Sequence, residues 1–278
     1  MLLVNGKPGE TLPALDRGLQ YGDGVFETIE IRASTPVFFD RHLNRLEDGC
    51  RRLAIPFPAP ETLAEEVETL CRQSPAPAVL KIIVTSGSGG RGYRRPEAIQ
   101  ATRILSLHPY PDYPADFSTE GINTRLCLTR LGINPSLAGI KHLNRLEQVL
   151  ARAEWSDPAI QEGIMLDSAG QVIEGTMTNL FYIKDQALYT AALTQTGIAG
   201  IIRSLILEIA DRQQLQVNEL SYTPEHLLSA DEIFVCNSII GIWPVKLIDG
   251  IAFEPGPITR KIQHWLADYK QGTLHNAQ

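Results

Sequence analysis

The stretch Leu137-Ala-Gly-Ile-Lys141-His-Leu-Asn-Arg-Leu-Glu-Gln148 carries the most specific information in this chain of 278 residues. Lys141 stands just before a predicted helix, residues 142–154, and has apolar neighbours on both sides. A lysine that is partly removed from water has a lowered pKa, and an uncharged amine is what covalent chemistry on an aldehyde requires. A single lysine before a helix is in most proteins only a solvated charge. The pattern nevertheless makes Lys141 the first candidate for a catalytic residue.

A second candidate is the acid in Asp167-Ser-Ala-Gly-Gln-Val-Ile-Glu174-Gly-Thr-Met-Thr-Asn179-Leu-Phe. The local pattern favours a hairpin that leaves Glu174 exposed at its exit. A carboxylate at this place can instead hold a proton on the nitrogen of a heterocyclic ring. The residues alone leave both interpretations open.

Three further segments are candidates for binding an anion. Thr196-Gly-Ile-Ala-Gly200 leads into a predicted helix, residues 199–213, and such a start leaves backbone N–H groups facing outward. The turn Asn237-Ser-Ile-Ile-Gly241 offers a second set of amides. Arg45 lies on a predicted helix, residues 41–54, where an arginine most often faces solvent. Each segment also has an ordinary structural explanation when it is taken alone.

The loop Gly87-Ser-Gly-Gly-Arg91-Gly-Tyr93 combines four glycines with one guanidinium and one phenol. It is not a P-loop, because the closing Gly-Lys-Ser/Thr is missing. Its glycine spacing also differs from that of a dinucleotide-binding fingerprint. A flexible structural loop and a loop that brings Arg91 and Tyr93 to a ligand both fit the pattern.

Composition excludes several classes of protein. The net charge of −7 and the pI near 5.4 argue against a general nucleic-acid or anionic-membrane binder. The first ten residues have no signal-peptide pattern, and no apolar run approaches the roughly 18 residues of a membrane span. The four cysteines form no CxxC pair, so we expect neither a disulfide framework nor a metal site. A cytoplasmic globular protein is the expectation.

The pattern of strands and helices predicts two domains. His108-Pro109-Tyr110-Pro111-Asp112-Tyr113-Pro114 contains three prolines and cannot form a regular helix or a central strand, so residues 109–114 are the predicted linker. Residues 1–108 resemble a small α+β domain, and residues 115–278 a larger mixed α/β domain. The predicted strands are 2–4, 25–32, 36–39, 79–85, 102–107, 122–128, 163–167, 171–174, 179–183, 187–190, 215–221, 232–236 and 245–248. The predicted helices are 41–54, 61–73, 142–154, 199–213 and 257–269.

Taken together, the motifs resemble the fold-type IV, or class IV, family of pyridoxal-phosphate (PLP) enzymes. This family includes branched-chain and D-amino-acid aminotransferases and aminodeoxychorismate lyases. The resemblance covers nearly the whole chain and rests on six segments: Asp16-Arg17-Gly18, Tyr21–Thr28, the Lys141 stretch, Glu174 to Phe181, Gly197–Arg203 and the turn at Asn237. It implies a two-domain fold, PLP as the cofactor and a homodimer with the active site near the subunit boundary.

The resemblance also implies roles for single residues. Lys141 would carry the cofactor and move protons, and Glu174 would keep the pyridine nitrogen protonated. The cofactor phosphate would be held by Arg45, by the amides of Ile198 and Ala199, and by the turn at Ser238 and Ile239. Many relatives have threonine where Ala199 stands, so its backbone matters more than its side chain.

Within the family, the loop 87–93 and the Lys141 stretch resemble the lyases in particular. Thr28 stands where branched-chain aminotransferases carry glycine, and its hydroxyl suits the positioning of a departing enolpyruvyl group. The expected reaction converts 4-amino-4-deoxychorismate to 4-aminobenzoate and pyruvate, with Thr28 as a catalytic residue and Thr28, Arg91 and Tyr93 as substrate residues. One alternative is a D-amino-acid or branched-chain aminotransferase of the same fold. Another is a non-catalytic protein that binds small anions.

Overall fold

The computed structural model describes residues 1–72 and 77–276. The end of the predicted helix 61–73 and the last two residues of the predicted second domain lie outside the described residues. Within the described residues, no helix has both the length and the apolar character that crossing a membrane requires.

The chain forms two compact units, each with its own sheet. The first is made of Met1–Pro111, Ile140–Asn144 and the chain end from Gly272, and the second of Asp112–Gly139 and Arg145–Gln271. The chain leaves the first unit between Pro111 and Asp112, inside the segment that the three prolines mark as a linker. Ile140–Asn144 is a departure from the sequence prediction, which places this segment in the second domain.

The first unit is an antiparallel sheet with two main helices. Its elements are β1 (Leu2–Val4), β2 (Lys7–Pro8), α1 (Arg17–Tyr21), β3 (Gly24–Arg32), β4 (Thr35–Pro36), α2 (Phe39–Arg52), α3 (Pro60–Cys71), β5 (Ala78–Thr85) and β6 (Thr102–Pro109). In the described part of this unit, the strands pair in the order β2-β1-β6-β5-β3-β4. Leu46 of α2 and Leu63 and Leu70 of α3 are buried in its core.

The two faces of β3 have different surroundings, because successive side chains of a strand point to opposite sides. Val25, Ile29 and Ile31 are buried on the face that packs against α2. Glu27 lies on this face as well, since its carboxylate is bonded to α2. Phe26 and Thr28 therefore lie on the opposite face of the sheet, where both are half-buried.

The second unit is a mixed sheet with helices. Its elements are α4 (Asp116–Thr119), β7 (Ile122–Leu131), α5 (Leu146–Arg152), β8 (Glu162–Asp167), β9 (Val172–Gly175), β10 (Asn179–Lys184), β11 (Ala187–Ala191), α6 (Ile201–Arg212), β12 (Val217–Leu220), α7 (Pro224–Leu228), β13 (Glu232–Asn237), β14 (Gly241–Ile248), β15 (Ile251–Ala252) and α8 (Pro257–Asn276). The strand order in the described residues is β12-β11-β10-β13-β14-β7-β8-β9, and β15 pairs with β14. Ile122, Ile164, Leu180, Val235 and Val245 are completely buried in its core.

An additional pairing joins β9 to β10 in this unit. Glu174 and Asn179 are the residues that lie opposite each other there. β9 is also paired with β8 on its other side, with Glu174 opposite Met165. Glu174 is thus fixed between two strands, inside the sheet.

Candidate active site

The first unit holds Lys141 on a short segment that pairs with β3. The Phe26 N–H donates to the Lys141 carbonyl at 3.0 Å, and the Leu143 N–H donates to the Gly24 carbonyl at 3.0 Å. The predicted helix 142–154 therefore begins only at Leu146, because residues 140–144 are engaged in this long-range pairing. Lys141 lies on an extended segment beside a sheet, and its backbone is fixed by β3.

The Lys141 ammonium lies against an aromatic ring. Its Nζ is 4.3 Å from the centroid of Phe26, a cation–π contact, and the lysine side chain is half-buried. Thr28 follows Phe26 by two residues on β3, so its hydroxyl lies on the same face of the sheet. Lys141 and Thr28, the two residues that the sequence predicts to be catalytic, both lie on the side of β3 that carries Phe26; their catalytic role stays a prediction.

Arg45 of α2 does not lie on the solvent face. Its side chain is only 14% exposed, and it bonds the carboxylate of Glu27 through Nε at 2.7 Å and Nη2 at 2.5 Å. Burial by itself raises the pKa of Glu27, but Arg45 and His42 together lower it to about 2. Glu27 is therefore a permanent anion that orients the Arg45 guanidinium.

His42 completes this buried cluster. Its Nδ1 lies 2.6 Å from Glu27 Oε2, and its Nε2 is buried without a hydrogen-bond partner in the part of the chain that the structure describes. Burial lowers the pKa of His42, and the positive charges of Arg45 and Lys141 lower it further against the opposing effect of Glu27. Glu27 and His42 are not recognisable as a pair from the sequence, because Glu27 lies on a strand and His42 on a helix.

The loop with Arg91 and Tyr93 has a fixed backbone and exposed side chains. Arg17 is buried and donates to the carbonyls of Gly92 at 3.0 Å and Tyr93 at 3.2 Å. Tyr93 is 88% exposed, and its ring centroid lies 5.5 Å from that of Tyr21. Arg91 is also exposed. A role of Arg91 and Tyr93 in substrate binding stays a prediction.

In the second unit, Glu174 is buried and not an exposed hairpin acid. Its side chain is 3% exposed, and its Oε2 accepts the Ile198 N–H at 2.8 Å. The Asn179 side chain binds the same residue from the other side, donating from Nδ2 to the Ile198 carbonyl at 2.9 Å. Burial lowers the pKa of nearby Arg145, while the negative charge of Glu174 opposes that shift. Arg145 therefore lies close enough to the buried Glu174 carboxylate for their charges to interact.

The amides predicted to bind phosphate are largely engaged within the protein. The Ile198 N–H donates to Glu174, the Ala199 N–H to the Gly139 carbonyl at 3.1 Å, and the Ile239 N–H to the Asn237 side chain at 2.8 Å. This geometry argues against a primary role for these three amides. Helix α6 begins at Ile201 and not at residue 199, so its unpaired first-turn amides lie further along the chain than predicted.

Glu162 is a functional candidate that the sequence analysis did not identify. This fully buried carboxylate accepts hydrogen bonds from Gly163 N–H (2.9 Å), Thr176 N–H (3.0 Å) and Oγ1 (2.5 Å), Met177 N–H (3.2 Å) and Thr178 Oγ1 (2.8 Å). Burial raises the pKa of Glu162 although these bonds act in the opposite direction. Glu162 holds the turn that follows Glu174 and thereby supports the β9–β10 pairing.

The chain is similar to known proteins over nearly its whole length. Residues 24–248 match the family model for class IV amino-transferases. The chain is 37% identical over 268 residues to an aminodeoxychorismate lyase from Vibrio harveyi, covering 95% of this chain and 98% of the relative. It is 30% identical over 278 residues to a putative branched-chain-amino-acid aminotransferase from Methanocaldococcus jannaschii, covering 97% and 96%.

Among solved structures, the chain is similar to 4-amino-4-deoxychorismate lyase from Pseudomonas aeruginosa. The TM-score is 0.92 and the identity 45%, with 96% of this chain and 98% of that chain covered. The branched-chain aminotransferase of Escherichia coli has a TM-score of 0.80 at 28% identity. With a family model that matches most of its length, the chain belongs to the class IV aminotransferase family.

Proposed function

We propose that this chain is a PLP-dependent lyase that converts 4-amino-4-deoxychorismate to 4-aminobenzoate and pyruvate, a reaction of folate synthesis. The observation that carries the proposal is the 45% identity to the Pseudomonas aeruginosa lyase over 96% of the chain. The geometry of the first unit supports it, because an amine and a hydroxyl share the face of β3 that carries Phe26.

The donor set of the chain fits PLP. Lys141 offers a primary amine for the aldehyde, and Glu174 a buried carboxylate for the pyridine nitrogen. Arg45 offers N–H donors for the phosphate, with Glu27 fixing its orientation and offsetting its charge. We place less weight on the amides of Ile198, Ala199 and Ile239, since each has a protein acceptor. When bound, PLP supplies an electron sink for the bond changes at the substrate.

Each residue at this site has a task in the proposed reaction. Lys141 takes the ring proton from the carbon that bears the substrate amine. The bond between the ring and the enolpyruvyl oxygen then breaks with its electron pair going to the oxygen, the ring becomes aromatic, and the released enolate takes up one proton to become pyruvate. Thr28 positions the departing group. Phe26 lies against the Lys141 amine and shields that side of it from water.

The proposal is tested by incubating the purified holoenzyme with 4-amino-4-deoxychorismate and measuring both products by chromatography. We expect equal amounts of 4-aminobenzoate and pyruvate from the wild type, and nearly none from Lys141→Ala. Borohydride reduction followed by peptide mapping identifies the lysine that carries the cofactor. A pyridoxyl label on another lysine would refute the role of Lys141.

An aminotransferase that acts on D- or branched-chain amino acids is the second candidate. The observation in its favour is the 30% identity to the Methanocaldococcus jannaschii protein over nearly its full length. The cofactor residues do not separate the two activities, because both begin with an amine bound to the same cofactor. The lyase and aminotransferase activities must be distinguished by the residues that contact the rest of the substrate, of which Thr28 is the first candidate.

We also propose that the enzyme is a homodimer and acts in the cytoplasm. Helix α5 exposes Leu146, Val149 and Leu150 on one side, and such apolar rows are frequent in contacts between subunits. The four cysteines are unpaired and buried, which is usual for proteins of a reducing compartment. Light scattering of the purified protein should give twice the chain mass of 30.7 kDa. A mass of a single chain would contradict the dimer.

A further inference from the structure

The hairpin of β9 and β10 in the second unit has a tip of three residues, Thr176-Met177-Thr178. At the base of the hairpin, the buried Glu174 accepts the Ile198 N–H at 2.8 Å. At the tip, Asn237 Nδ2 donates to the Met177 carbonyl at 3.1 Å. The hairpin end is therefore attached to two of the segments that the sequence selects as candidates for ligand binding, the one at Ile198 and the turn at Asn237.

The backbone of this tip is fixed by a buried carboxylate. Glu162 accepts the N–H groups of Thr176 at 3.0 Å and Met177 at 3.2 Å. It also accepts the hydroxyls of Thr176 at 2.5 Å and Thr178 at 2.8 Å. Because the Met177 carbonyl is bonded to Asn237, both polar backbone groups of Met177 have partners inside the protein. The Met177 side chain is thus carried on a support with one conformation.

The side chain of Met177 is exposed although its surroundings are buried. It is 46% exposed, whereas Glu174, Thr178 and Asn179 beside it are buried. One exposed apolar residue is common on a protein surface and by itself indicates nothing. The place of Met177 is what distinguishes it, since it follows Glu174 by three residues at the end of one hairpin. Methionine is also unbranched and polarisable, and its sulfur makes favourable contacts with aromatic rings.

We propose that Met177 is a ligand-binding residue whose side chain packs on the face of a planar six-membered ring bound beside Glu174. The inference rests on the proposed function, in which Glu174 contacts the ring nitrogen of the cofactor. Two planar rings are bound in that function, the pyridine ring of PLP and the ring of 4-aminobenzoate. Both present the same flat apolar face to a thioether. A ring that is held at its edge by Glu174 lies within reach of a side chain on the same hairpin end.

Oxidation by dilute hydrogen peroxide tests this assignment without turnover, because peroxide transfers one oxygen atom to an accessible thioether and leaves as water. The chain contains three methionines: Met177, the exposed Met1 and the fully buried Met165. Peptide mass spectrometry gives the oxidation rate of each methionine in the apoenzyme, in the holoenzyme and in the holoenzyme with 4-aminobenzoate. Met1 and Met165 are the internal controls for full access and for full protection.

We expect Met177 to be oxidised about as fast as Met1 in the apoenzyme and several-fold more slowly once its ring is bound, while the rate of Met1 stays unchanged. Protection that appears with PLP assigns the contact to the pyridine ring. Protection that appears only with 4-aminobenzoate assigns it to the product. Two results would overturn the proposal. One is a Met177 rate that neither ligand lowers, and the other is an apoenzyme in which Met177 is as protected as Met165, because a second copy of the chain would then cover it.

Binding constants provide a second readout. Met177→Ala should weaken the binding of the protecting ligand by about 2- to 10-fold, the range for loss of a contact between a thioether and an aromatic ring. Met177→Leu should keep most of the affinity, and Ile251→Ala, at an equally exposed position of the same unit, should keep all of it. Unaltered affinities for both ligands in Met177→Ala would contradict the proposal. Failure of the proposed function is a separate result, because it appears as a wild type that forms no 4-aminobenzoate.

Discussion

Arg45 is held in place by another side chain of the protein. Two of its nitrogens are bonded to Glu27, so the guanidinium has one orientation. We expect Arg45→Ala to weaken PLP binding to the apoenzyme by about 10-fold or more, since a charge-assisted contact contributes roughly 1.5–3 kcal/mol. Titration of the apoenzyme with PLP measures this effect. Arg51→Ala, at an exposed position of the same helix, is the control, and an unaltered dissociation constant for Arg45→Ala would exclude Arg45 from phosphate binding.

The negative charge of Glu174 is expected to be essential for turnover. If its carboxylate keeps the cofactor nitrogen protonated, Glu174→Gln should retain PLP but lose turnover by roughly 10²-fold, the scale of other preorganised electrostatic contacts. The kcat of the variant and its cofactor absorbance are the two measurements. Glu254→Gln, at an exposed position of the same unit, should behave as the wild type. Full turnover in Glu174→Gln would leave this acid with a structural role only.

At the residue scale, the sequence identifies the chemical groups better than their partners. Lys141 and Glu174 could be selected because their surrounding motifs are local in the chain. The burial of Glu174 could not, since it results from the pairing of β9 with both β8 and β10. The hydrogen bonds of the Ile198 and Ala199 amides could not be predicted for the same reason, because their acceptors, Glu174 and Gly139, are distant in sequence.

At the scale of elements, Glu27 joins β3 to α2. Its pKa is about 2 in the folded chain against an ordinary value of 4.5, so its stabilising effect is complete above pH 4.5 and is lost as the pH falls toward 2. We expect Glu27→Gln to lower the free energy of unfolding by about 3 kcal/mol at neutral pH, as removing one partner of a buried ion pair does. The difference from the wild type should shrink in acid.

Urea unfolding followed by circular dichroism at pH 7 and near pH 3 measures this difference. Glu68→Gln is the matched control, because Glu68 forms an exposed pair with Arg72 on α3 and should contribute little. An equal destabilisation of Glu27→Gln at both pH values would show that ionisation of Glu27 does not stabilise the contact between β3 and α2.

The longer elements were predictable from periodicity. Strand β3 at Gly24–Arg32 and helix α2 at Phe39–Arg52 lie within two residues of their predicted bounds. The helix predicted from residue 142 begins at Leu146, because residues 140–144 are paired with β3. Short elements such as α1 and α7 were missed, since five residues are too few to show a helical period.

At the scale of the whole molecule, the amino-acid composition predicts the class of protein, and the positions of the prolines predict where the first unit ends. The three prolines of residues 109–114 mark the place where the chain leaves the first unit, which the structure puts between Pro111 and Asp112. The assignment of Ile140–Asn144 to the first unit could not be predicted, because a local pattern does not show which sheet a short segment joins. Lys141, the proposed catalytic lysine, is part of this segment.

The central claim is that the chain is a lyase and not an aminotransferase. The most direct measurement compares kcat/KM for the release of 4-aminobenzoate from 4-amino-4-deoxychorismate with kcat/KM for amino-group exchange between D-alanine or leucine and a 2-oxo acid. We expect the lyase reaction to be favoured by roughly 100-fold or more, since an enzyme distinguishes substrates of different size and charge by how well it binds their transition states. Faster exchange with D-alanine or leucine than formation of 4-aminobenzoate would contradict the claim and establish the aminotransferase.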